Sequence, residues 1–128
     1  VAEGPLEGRS LMEVQIFGTQ KSADTRKALR FFKERRVKVH FVDLTVRPAS
    51  KGELTRFAQR FGAEALLDRG SKRFVSRGLR TAQYSDKRWL EILADEPMIL
   101  RVPLVRWQTR LTVGLEEEEW GGWVRGGG

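Results

Sequence analysis

Cysteine is absent from this chain of 128 residues. That excludes disulfide stapling, thiolate metal ligation and any step that needs a sulfur nucleophile on the protein. There is a single histidine, His40. One imidazole offers no paired ligands for a metal, and no Ser-His-Asp arrangement can be read from it. Placed between Val39 and Phe41, His40 is expected to be a partly buried strand residue. No apolar run approaches the roughly 20 residues that cross a bilayer. The N-terminus also lacks a basic patch followed by a sustained apolar stretch, so no secretory signal or membrane partner is expected and the location should be cytoplasmic.

What is present describes one globular domain with a single core. Apolar residues make up 40% of the chain and charged residues 32%, an ordinary soluble balance. The formal net charge is +7. Its cations look scattered along the sequence, at Arg30, Lys33, Arg35, Arg36, Arg56, Arg60, Lys72, Arg73, Arg77 and Arg80. No compact basic run interleaves with aromatics, so a solvated arginine-rich surface is expected and direct nucleic-acid binding is not. The consecutive acids Glu116–Glu119 supply no fixed ligand geometry, and no metal site is expected.

The periodicities order the chain. Residues 1–11 have no period and read as a flexible leader or a remnant of expression, the domain spans 12–124, and 125–128 read as a flexible tail. Val14 and Ile16 alternate with polar neighbours, which suggests a strand. A helix should run from about Ala23 to Arg35, capped by Ser22, with Ala28, Phe31 and Phe32 inward. Val37–Leu44 reads as a second strand parallel to the first, completing a βαβ unit. Ser50 and Glu53 form a capping box for a helix bearing Leu54, Phe57, Ala58 and Phe61, which Gly62 can end in a left-handed conformation. Ser85 caps another helix, stopped by Pro97. Two short strands within Pro103–Val113 surround a turn at Trp107-Gln-Thr. A terminal helix begins near Glu116–Glu119, with its length limited by glycines. Trp107, Trp120 and Trp123 read either as exposed residues, where tryptophan often serves partner contacts, or as cover for an edge of the small core.

Val14–Leu29 has the shape of a redox loop, in which a thiol would sit where a helix N-terminus lowers its pKa; Ser22 stands there instead. Ser22-x-x-Thr25-Arg26-Lys27-Ala28 resembles the Cys-x-x-Cys/Ser-Arg-Lys-Ala segment of the arsenate reductase/Spx family. Pro97 to Leu104, followed by Arg110-Leu111-x-Val113-Gly114-Leu115, is similar to the same family's later strands. The resemblance covers about Glu13 to Trp120. It implies an α/β thioredoxin-like fold, a mixed four-stranded sheet flanked by helices with an inserted helical segment.

It also implies roles by position. Ser22 replaces the nucleophile, so the chain is not expected to be a thiol reductase of the ordinary kind. Thr25, Arg26, Arg69, Arg101 and Arg110 join Ser22 as anion-binding candidates, with Val102 where the family usually has an arginine. Pro103 would face the active-site loop, and Val102–Pro103 is a candidate cis peptide. The function implied is a redox-inactive, Spx-like pseudo-enzyme or regulatory protein that acts by binding, RNA polymerase being a conceivable partner. The alternative is a glutathione-dependent thiol transferase or reductase, or an arsenate reductase-like oxyanion binder working through the Ser22 loop. No resident cofactor is expected, with glutathione as the one small-molecule possibility.

Overall fold

A computed structural model describes residues 12–127. The segment read as a leader and the final glycine lie outside the described residues. In chain order the elements are β1 (Glu13–Gly18), α1 (Ala23–Glu34), β2 (Lys38–Asp43), α2 (Lys51–Phe61), α3 (Lys72–Ser76), α4 (Asp86–Asp95), β3 (Leu104–Trp107), β4 (Arg110–Val113) and α5 (Glu117–Gly127). Short 3-10 turns lie at Ala63–Leu66 and Pro97–Ile99.

The sheet order is β2-β1-β3-β4. β2 runs parallel to β1, whereas β3 is antiparallel to β1 and β4 antiparallel to β3. Side chains alternate across the pleat. On β1, Val14 and Ile16 therefore enter one core while Phe17 enters the other. The first core holds Ala28, Phe31 and Phe32 of α1 with Trp120 and Trp123 of α5. The second packs Leu54 and Phe57 of α2, Phe74 of α3 and Trp89 and Leu93 of α4 against Phe17, Val42 and Leu104. The inserted helical segment thus covers one face, and α1 with α5 covers the other. The caps expected at Ser50 and Ser85 form, with Ser50 and Glu53 completing a capping box and Ser85 accepting from the backbone N–H of Arg88.

Several expectations are decided or corrected. Trp107, Trp120 and Trp123 are buried, at 6%, 0% and 2% exposure. Burial is affordable because Trp120 Nε1 donates to Thr112 Oγ1 at 2.8 Å and Trp123 Nε1 to Glu119 Oε2 at 3.2 Å. Those tryptophans also carry α5 through Gly121, Gly122 and Gly126 to Gly127, beyond the length its glycines suggest and into the segment read as a tail. Packing of an apolar face outweighs poor helix propensity there. His40 is exposed, because β2 is an edge strand and this position points away from the first core. Gly62 has φ 86° but ψ 147°, so α2 ends on a positive φ without a left-handed helical turn.

Candidate functional site

The site forms where β1 ends and α1 begins. Phe17 pairs with Leu104, so the start of β3 lies beside the end of β1. The peptide just before β3, Val102–Pro103, is cis, as expected from the resemblance. Between β1 and α1 the chain turns at Thr19–Ser22, where the N–H of Ser22 donates to the carbonyl of Thr19 at 3.1 Å. Ser22 then caps α1, its Oγ accepting from the N–H of Thr25 at 3.1 Å. That bond satisfies one of the helix's unpaired amides, in a region of partial positive charge.

A second clamp brings distant cations to the same place. Leu67 and Leu100 form an isolated antiparallel bridge. Its bonds run from Asp68 N–H to Ile99 O at 2.8 Å and from Arg101 N–H to Leu66 O at 2.7 Å. Arg69 and Arg101 thereby reach one open cleft of about 700 Å³, shared with Ser22, Lys21, Asp24, Asp68, Met98 and Val102. Arg69 is steadied by an ion pair with Glu64 at 2.8 Å. The Arg101 guanidinium lies over Gly114, where a Cβ would come within 3.0 Å of Nη2. Gly114 has φ +84° and its N–H donates to Pro103 O at 2.8 Å, so the absent side chain makes room for the cation and ties the end of β4 to the cis proline.

Of the residues singled out from the sequence, Ser22, Arg69 and Arg101 line this cleft and Pro103 is buried beside it. The other three do not serve as expected. Thr25 is fully buried on the inner side of α1 with Oγ1 unpartnered, packed onto Gly18 so tightly that a Cβ there would overlap it. A side chain wedged against β1 cannot reach a ligand in the cleft. Arg26 turns back along the loop and donates to Gln20 O at 2.6 Å, bracing the turn. Arg110 pairs with Trp107 at the opposite end of the sheet, its guanidinium 5.3 Å from that ring's centroid. The antiparallel hairpin carries Arg110 away from the site.

Lys21, Asp24, Asp68 and Met98 were not singled out from the sequence. Lys21 and Asp24 flank the cap residue, and Asp68 precedes Arg69, so adjacency was the available signal. Met98 carries none. The cleft therefore offers a hydroxyl, helix amides, three cations and two carboxylates. Such a set can hold an anion or a zwitterion, and the hydroxyl cannot form and release a bond to sulfur or arsenic as a thiolate does. Among the described residues no group of three or more His, Asp or Glu is arranged to hold a metal ion. No helix there is long and apolar enough to cross a membrane.

Comparison with known proteins bears on the whole of this region. A family model described as ArsC family matches residues 17–122. No curated protein matches the chain. Among solved structures, the YffB protein superposes with a TM-score of 0.79 at 18% identity, over 85% of this chain and 96% of that one. An arsenate reductase from Vibrio cholerae gives 0.75 at 21%, over 84% and 94%. An arsenate reductase (ArsC) related protein from Brucella melitensis gives 0.66 at 20%, over 88% and 94%. At such identities the likeness establishes the fold, a thioredoxin-like mixed sheet with flanking helices.

Proposed function

The chain belongs to the ArsC family, and from that premise we propose that it acts by binding an anionic ligand at the head of α1, without thiol redox turnover. One observation carries the reading: the residue capping α1 in the cleft is Ser22, and the chain has no cysteine anywhere. Its hydroxyl proton is held too tightly to leave at neutral pH without an adjacent base. The sole histidine, His40, sits mid-strand on β2 and outside the cleft lining. Helix amides, Lys21, Arg69 and Arg101 remain suited to an oxyanion or carboxylate.

A second reading, glutathione as the ligand, is favoured by the composition and size of the cleft. Asp24 and Asp68 oppose the cations, a mixture that suits a zwitterionic tripeptide better than a bare oxyanion. The volume lies in the range of organic-ligand pockets rather than of a single tetrahedral ion. In that case the thiol belongs to the ligand. A regulatory role through a protein partner, the other consequence of the Spx resemblance, is tested by recovery of RNA polymerase subunits with the tagged chain.

Calorimetric titration of the full chain with arsenate, phosphate and glutathione tests the binding reading. Saturable binding that weakens in Arg101→Ala is expected. Absence of binding by all three at millimolar concentration would overturn it.

A further inference from the structure

The positive charge is not spread over the fold. Residues 21–38 hold eight Lys or Arg against Asp24 and Glu34, a net +6, while the whole chain is only +7. All eight cations are exposed; Arg26, Lys27, Arg30, Lys33, Arg35 and Arg36 form a ridge along α1 and the turn that follows it, with Lys21 just before the helix and Lys38 at the start of β2. Three are occupied: Arg26 by Gln20 O, Arg35 by Glu34 at 3.9 Å and the Phe31 ring, and Lys38 by Glu13 at 3.8 Å. Lys21 lines the cleft, and Lys27, Arg30, Lys33 and Arg36 have no ion-pair partner among the described residues. Glu116–Glu119 lead into the neighbouring α5, yet none of them reaches an α1 cation within 4.0 Å in those pairs.

Arg36 adds an independent sign. α1 closes with Arg36 N–H on Lys33 O and Val37 N–H on Phe32 O, each 3.0 Å, and Arg36 takes φ 60°. That is the position of a Schellman ending which glycine normally fills, since a Cβ is strained there. A cation stands where the backbone disfavours a side chain.

We propose that this ridge binds the phosphate backbone of duplex DNA without reading its sequence. At a rise of about 1.5 Å and a turn of about 100° per residue, Lys27, Arg30 and Lys33 follow one another about every 4.5 Å across the outward face of α1, and Arg36 lies just beyond its end. The duplex carries a charge every ~1.7 Å of its axis, so a cluster of cations spread over α1 meets several phosphates at once. Other polyanionic partners fit less well. The exposed large apolar side chains Val46, Phe61, Val75, Tyr84 and Met98 all lie off α1. The ridge thus has no apolar anchor for a protein interface core, none to insert into a bilayer, and no aromatic to stack on single-stranded bases.

The test uses the full chain and a fluorescent duplex of about two helical turns, followed by anisotropy as salt rises from about 50 to about 200 mM. Binding is expected with a log–log salt slope of about −3 to −4, one phosphate for each free cation. A ridge variant carrying Arg30→Glu, Lys33→Glu and Arg36→Gly should weaken it by about 30-fold or more at the lower salt. A control carrying Arg56→Glu, Arg80→Glu and Lys87→Glu removes slightly more positive charge from other elements, and should stay within about threefold of the native chain. Thermal melts confirm that both variants are folded. Arg36→Gly alone should bind more weakly while melting no lower, which a merely structural arginine would not do. The proposal is overturned by absence of duplex binding or by equal losses in ridge and control variants. Tighter binding to a single strand, to poly-glutamate or to phosphatidylserine vesicles than to the duplex would overturn it too.

Discussion

Two regions of this molecule carry arginine and lysine in different ways. At the cleft the two arginines are held in place, Arg69 by Glu64 and Arg101 by the bare backbone of Gly114. On α1 and the turn that follows it four cations have no ion-pair partner among the described residues, and one of them stands on a strained backbone. Fixed cations around a concavity suit a small ligand whose shape must be matched. Free cations on a convex helix suit an extended polyanion, where density of charge matters more than placement. Charge alone does not tell the two apart, and restraint does.

The largest effect should come from the joint that supports the cleft. Gly18→Ala places a Cβ 2.6 Å from Thr25 Cγ2 as well as against its hydroxyl. A loss of about 2–3 kcal/mol is expected from overpacking, seen as a lowered thermal midpoint, with ligand binding lost before the ridge stops working. Next comes separation of the regions. Arg101→Ala should weaken cleft ligands by about tenfold, or about 1.4 kcal/mol, and leave duplex affinity unchanged. The ridge variant should do the reverse, and a variant that impaired both equally would erase the contrast.

Ser22 distinguishes architecture from chemistry. Ser22→Ala should cost about 1 kcal/mol by removing the cap, measured by denaturant unfolding. Ser22→Cys should introduce a thiol whose pKa falls below the free value of about 8.5, read from the pH dependence of alkylation. Arg36→Gly should raise stability by about 1 kcal/mol through relief of the positive φ. The smallest expected effect lies outside both regions. The Arg47 guanidinium and then the Ser50 N–H hold the Glu53 carboxyl below its ordinary value of 4.5. A depressed carboxylate stabilises the fold fully above its unfolded pKa, and that contribution is lost as pH falls through the folded value. Glu53→Gln should therefore flatten a small part of the acid limb of the stability profile.

Much of this was legible in the sequence because it is local. Ser22, Ser50 and Ser85 announce helix starts through side chains that bond amides three residues away, and each does so. The alternation of Val14 and Ile16 and the cis Val102–Pro103 peptide were legible in the same way, from pattern and resemblance. The misses are tertiary. Whether Trp120 is buried depends on Thr112 standing ready in another element. The reach of Arg110 depends on which way a hairpin runs, and the exposure of His40 on strand order. Thr25 looked like a ligand by its place in the motif, but the angular position of that residue on α1 turns it towards Gly18. The concentration of charge was legible too, since eight Lys or Arg fall within residues 21–38; the fold adds that all eight are exposed.

The most direct test of a cleft that holds ligands without exchanging electrons is a coupled assay. Purified full chain, arsenate and glutathione are combined with a reductant system that consumes NADPH, and its oxidation is followed. The native protein should give the rate of the blank. Oxidation that scales with protein concentration and disappears in Ser22→Ala would contradict that reading.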